Sequence, residues 1–115
     1  MKRNTPERDL HVALVKQLAI RCKPEVLWFH CPNGGSRDVV EAVNLKRMGT
    51  LPGVPDLLFI HNNSIFSVEL KAKGGRLSPA QQVFQDRFMR AGGYPWVADD
   101  LDSALMFLSY SDLLR

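Results

Sequence analysis

Apolar residues recur at helical spacing at Leu10, Leu14, Val15 and Leu18. They follow Thr5-Pro6, a pairing in which Thr caps a helix and Pro takes its first position, so the pattern predicts a helix from there to about Arg21. Lys23-Pro24-Glu25 breaks it. The aromatic and β-branched run Val26–His30 then predicts a core strand, and Pro32-Asn33-Gly34-Gly35-Ser36 a tight loop. Asp38-Val39-Val40-Glu41 has the form of a capping box, opening a second helix whose apolar side is Val39, Val40, Val43 and Met48 and which Gly49 closes. Two prolines make Leu51-Pro52-Gly53-Val54-Pro55 rigid and non-helical. Asn62-Asn63 is a turn signal between two apolar runs, so Asp56–His61 and Ser64–Lys73 read as antiparallel strands of one hairpin. Ser78-Pro79 repeats the cap-and-proline start for a third helix to about Ala91, with Val83, Phe84, Phe88 and Met89 toward the sheet. Gly92-Gly93 stops it. Tyr94–Ala98 reads as a last strand, and Asp99-Asp100 precedes a terminal helix holding Leu101, Ala104, Leu105 and Leu108. The order predicts an α/β domain with a mixed central sheet and flanking helices.

Length and composition add limits. A chain of 115 residues suits one domain, 1–115, with a single core. No apolar run approaches the roughly 20 residues that span a bilayer, and the charged start has no signal-peptide core behind it. The expectation is a soluble, intracellular (cytoplasmic) protein with no membrane partner. Cys22 and Cys31 lack CxxC spacing and a nearby His pair, so reduced, buried thiols are expected rather than zinc, and His30 beside Cys31 does not alter that. A net charge of +3 permits a nucleic-acid partner without requiring one.

The hairpin carries the chemistry. Alternation along its second strand puts Glu69 and Lys71 on one side and Phe66, Val68, Leu70 and Ala72 on the other, while Asp56 opens the first strand. Two acids and a lysine therefore converge. Hard divalent cations such as Mg²⁺ accept one or two carboxylates together with waters and a substrate phosphate. A lysine beside such a site can stabilise charge on a phosphoryl group or align an attacking water. Lys73 has the same parity as Lys71, and periodicity alone does not separate them. Glu7 and His11, four apart, share a helix face. Glu7 has two readings, a site acid or a complement to the helix dipole. Lys46 and Arg47 likewise either complement a dipole or meet phosphate. Asp99, Asp100 and Asp102 read as helix-start acids rather than ligands.

Pro55-Asp56 followed by Glu69-Leu70-Lys71 resembles the PD-(D/E)xK nuclease signature. The wider order resembles the virus-type replication-repair nuclease (VRR-NUC) domain: Asn33-Gly34-Gly35-x-Arg37, Gly49, Gly53-Val54-Pro55-Asp56-Leu57, Glu69-x-Lys71, and Gly75-Arg76-Leu77-Ser78-Pro79-x-Gln81. That resemblance implies a restriction-endonuclease-like core. It implies metal ligation by Asp56, Glu69, the Leu70 backbone carbonyl and Glu7, with Lys71 as the catalytic lysine. Gln81, otherwise an ordinary surface glutamine, becomes a residue of the site. Asn33, Arg37, Lys73 and Arg76 become DNA contacts. His11 stands where the family more often has glutamine, which leaves its role open.

The function so implied is a Mg²⁺- or Mn²⁺-dependent DNA endonuclease acting on branched DNA, four-way junctions above all, as a homodimer. Exposed portions of Trp28, Phe29 or Trp96 are the aromatic candidates for its dimer surface, although core burial is the expected fate of each. Alternatives are a flap or general nuclease, a DNA-binding module without catalysis, and a structural partner whose acids and lysine merely pair on a sheet.

Overall fold

In element order the chain runs α1 (Pro6–Arg21), β1 (Leu27–His30), α2 (Val39–Arg47), β2 (Leu57–His61), β3 (Ser64–Leu70), α3 (Pro79–Arg90), β4 (Tyr94–Ala98) and α4 (Leu101–Tyr110). This computed structural model describes residues 6–32 and 38–115. Thr5, expected to cap α1, and the loop residues Asn33 and Arg37 lie outside the described residues.

The sheet has the order β1-β2-β3-β4. The first three strands form an antiparallel meander, with Phe29 opposite Leu58 and Leu57 opposite Val68. A crossover through α3 brings β4 in parallel to β3, pairing Glu69 with Val97 and Leu70 with Ala98. The sheet is therefore mixed, as expected. Asn62 and Asn63 both adopt left-handed backbone at the hairpin tip, φ 49° and 64°, which asparagine tolerates better than most side chains.

Side-chain alternation divides the sheet into two faces. On one, Leu57, Phe59, Val68, Leu70 and Ala98 are buried with Leu14 and Leu18 of α1 and Ala104 and Leu108 of α4. That is the core. On the other, Ser67 and Glu69 are also buried, and α3 packs at the β4 edge. A stack of rings closes the core side of that edge: Phe66 on Tyr94 at 5.4 Å and Trp96 on Phe107 at 5.2 Å.

Four expectations require correction. The run predicted to be a core strand is the sheet's edge, so Leu27 and Phe29 are exposed, while Val26 just before β1 is buried in the core and Trp28 packs partly against it. β3 stops at Leu70 rather than Lys73, because after Lys71 N–H reaches the Ala98 carbonyl the chain turns, with Gly75 N–H on the Ala72 carbonyl. The apolar side of α2 is not buried: Val39, Val40, Val43 and Met48 are all exposed. On α3, Phe84 and Phe88 stack at 5.9 Å and are half-buried, but Val83 and Met89 face solvent.

Gly53 joins two parts of the fold. It has φ +79°, and a Cβ there would lie 2.3 Å from the Ala80 carbonyl oxygen and 2.7 Å from Gln81 N. Backbone cannot yield as a flexible side chain can. Gly53→Ala should therefore lower stability by about 2–4 kcal/mol, from left-handed strain plus overlap with the first turn of α3. Urea denaturation checks this, and a loss under 1 kcal/mol would mean that the approach is looser than described.

Candidate active site

Asp56 sits at the mouth of β2, where the rigid segment Leu51–Pro55 delivers it. Both its backbone and its side chain are anchored. The carbonyl accepts from Cys31 N at 2.9 Å and lies 2.7 Å from His30 Nδ1. Since a carbonyl only accepts, Nδ1 carries the proton. Across the hairpin, Leu70 N–H donates to Asp56 Oδ2 at 2.8 Å, fixing the carboxylate beside the end of β3.

Glu69, on the face away from the core, is 7% exposed. Its Oε2 accepts from Gln81 Nε2 at 2.9 Å and lies 3.7 Å from Lys71 Nζ. The other oxygen, Oε1, is buried without a hydrogen-bond partner. Burial pushes the Glu69 carboxyl up to about 7; the negative charge of Asp56 adds to this, Lys71 opposes it, and Glu7 adds a little more. Leaving a buried carboxylate oxygen unpartnered is costly, so the site asks for a proton or a cation.

Lys71 is held as tightly. Its Nζ donates to Gln81 Oε1 at 2.7 Å, and the side chain is 12% exposed. Gln81 owes its position to local sequence: Ser78 caps α3, its Oγ accepts from Gln81 N, and Gln81 Oε1 accepts in return from Ser78 N at 2.8 Å. One amide thus serves three partners. Its oxygen faces the ammonium and the cap, and its nitrogen faces Glu69.

Beside Asp56 opens a cavity of about 380 Å³ lined by Glu7, Arg8, His11, Val12, His30 and Asp56. Glu7 is exposed in the first turn of α1 and belongs to this wall. His11 meets His30 edge to face, ring centroids 4.5 Å apart. Burial holds the His11 imidazole below its usual value, the neighbouring His30 lowers it further, and Asp56 works against both.

Do these groups suit a divalent cation? Among the described residues no three His, Cys, Asp or Glu side chains converge closely enough to hold one unaided. Two carboxylates are enough for Mg²⁺ or Mn²⁺, which keep several waters and take substrate oxygens. Asp56, pinned beside β3, and Glu69, with an unpartnered buried oxygen, fit that requirement. Glu7 stands farther round the cavity.

The profile of the VRR-NUC domain matches residues 4–99. The chain belongs to the VRR-NUC family. A solved structure described as a VRR_NUC domain protein has the same fold, with a TM-score of 0.76 at 19% identity over 96% of this chain and 92% of that one. No curated protein matches the chain. Membership implies a nuclease-type function, and VRR-NUC nuclease domains generally depend on a divalent metal.

Within this VRR-NUC fold, Asp56, Glu69, Leu70, Lys71 and Gln81 come together, and Glu7 lines the adjoining cavity. Lys73 and Arg76 are exposed on the turn after β3. The two lysines, inseparable by periodicity, differ here, because Lys73 turns away to Asp99 at 3.8 Å and Asp100 at 3.6 Å. Asp100 caps α4 through Ser103 N, as its position suggested. His30 is the residue that sequence reasoning passed over. The Ser78-x-x-Gln81 capping signature was available as a signal for the orientation of Gln81. No comparable signal marks His30, whose contact with Asp56 spans 26 residues.

Proposed function

We propose that this chain is a Mg²⁺- or Mn²⁺-dependent endonuclease that hydrolyses phosphodiester bonds in DNA. The observation that carries the reading is Glu69 Oε1, a buried carboxylate oxygen with no protein partner, two residues from a lysine held by Gln81. A bound divalent cation would supply charge neutralisation at the phosphoryl group and a more acidic water.

The chain's residues would act around it. Asp56 and Glu69 supply ligands, the carbonyl of Leu70, next after Glu69, adds another, and Glu7 orients water from the cavity wall. Lys71 has three N–H donors, of which Gln81 accepts one, so it can reach a non-bridging phosphate oxygen or the attacking water. Gln81 keeps that ammonium from collapsing onto Glu69. Lys73 and Arg76 on the outer turn contact neighbouring phosphates, and Asn33 and Arg37 are further DNA contacts implied by the family's motif.

Branched DNA is the proposed substrate, with a homodimer as the active form. A four-way junction is resolved by paired cuts, which suits two identical sites about a two-fold axis. The sheet face opposite the core offers the surface: Leu27, Phe29 and Ile60 form an exposed apolar strip at the β1 edge. Phe29 remains a candidate for that surface. Trp28 and Trp96 turn to the core side instead, where Trp96 stacks on Phe107.

Light scattering together with cleavage of matched junction, flap and linear duplex tests this. A mass of two chains and preferred cutting of junctions are expected. A monomer that cuts flaps better would favour a flap or general nuclease.

A further inference from the structure

The histidine pair has no part in the chemistry assigned above, yet it joins the two walls of the site. Glu7 and His11 lie one turn apart on α1, so they share a face. His11 rests edge-on against His30, which stands at the end of β1 on the core side of the sheet. The protonated Nδ1 of His30 holds the Asp56 carbonyl at 2.7 Å. An unbroken path therefore runs from the helix that carries Glu7 to the backbone of Asp56.

We propose that His30, braced by His11, is a positioning residue that sets the Asp56 carboxylate for its cation and keeps α1 at a fixed separation from it. The inference rests on the metal-site reading given above. Two features support it. His30 is an exposed residue on an edge strand, and burial of its ring does not account for its contacts. Asp56 is also the point where rigid loop becomes strand, and its carbonyl accepts from the Cys31 amide, just past β1, and from this ring. Loss of the ring donor would leave one anchor on the backbone and one, from Leu70, on the side chain.

Two substitutions separate the donor from the ring. His30→Phe keeps a ring against His11 and removes the donor. His30→Asn keeps a donor at the same remove from Cα, since the Asn amide nitrogen occupies the place of Nδ1, and removes the ring. Mn²⁺ binding without DNA, followed by the loss of the free-ion electron paramagnetic resonance signal, reads the effect independently of turnover. His30→Phe should weaken Mn²⁺ binding by about tenfold or more, the range typical when a partner that orients a ligand is lost. His30→Asn should recover most of that loss. Thermal melting of both variants verifies folding, and neither should fall far, because the residue is exposed.

Unchanged Mn²⁺ affinity in His30→Phe would overturn the proposal. Equal weakening in both variants would also overturn it, by showing that ring packing rather than the donor matters. Asp56→Asn provides the reference: it should abolish binding. If the parent protein binds no Mn²⁺, the metal reading itself fails and this proposal with it; if the parent binds and Asp56→Asn does not, a failed His30→Phe result touches the histidine alone.

Discussion

Glu69→Gln should abolish metal-dependent cleavage and yet give a protein more stable than the parent at neutral pH. The amide keeps the shape and one acceptor oxygen, so Gln81 and Lys71 can still find it, but it offers a cation no charge. Loss of cleavage should exceed about 10³-fold, the scale of removing a group that meets developing charge directly. Stability moves the other way. Folded Glu69 holds its proton up to about 7, against 4.5 for the free side chain. A group raised in this way contributes stability that is fully present below pH 4.5 and is lost as pH rises through 7. The loss amounts to at most about 3 kcal/mol. A glutamine has no such proton to lose. The advantage of Glu69→Gln should therefore be absent below pH 4.5, grow between 4.5 and 7, and level off above. Melting temperatures across that range check it without metal. A parent protein that is equally stable at pH 5 and pH 8 relative to the variant would contradict the account. Cation binding by the parent should weaken below about pH 7 for the same reason, since the proton and the metal compete for one carboxylate.

The second large effect is expected at Lys71. Its side chain is 12% exposed and its ammonium is fixed by Gln81, so under the proposed mechanism its place beside the substrate would be prepared before binding. Lys71→Ala should lower kcat by about 10²–10³-fold with a smaller change in KM, the pattern of an interaction made chiefly in the transition state. Lys73→Ala should behave differently. That side chain is 78% exposed and pairs at 3.6–3.8 Å with two acids at the start of α4. Exposed pairs of this kind contribute little to stability. Its loss should leave kcat within about threefold and reduce the salt slope of DNA binding by about one charge. Kinetics at two salt concentrations separate the two residues, and the reverse pattern would exchange their assignments.

What could be read in the chain follows the range of the interactions concerned. Glu69 and Lys71 were legible as a pair because a strand has a period of two, and Asp56 because prolines deliver it to a strand start. The boundaries of β4 and the cap at Asp100 are likewise local matters. Sheet order is not local. Nothing in Val26–His30 says that this strand lies at the edge, so a run that looks like core carries exposed Leu27 and Phe29. The apolar positions of α2 misled for a related reason: amphipathic spacing shows that a face exists, but not that anything covers it. Glu69's orphaned oxygen and His30's hold on Asp56 depend on distances between segments far apart in sequence, and only the folded chain displays them.

The central claim is that Asp56 and Glu69 hold a divalent cation that makes this chain a DNA nuclease. Incubation of supercoiled plasmid and a branched duplex with the parent protein and with Asp56→Asn, each in Mg²⁺, in Mn²⁺ and in chelator, tests it most directly. Cleavage by the parent with either cation, none in chelator and none by Asp56→Asn under any condition is the predicted result. Cleavage that persists in chelator, or an Asp56→Asn protein that cuts as fast as the parent, would contradict the account.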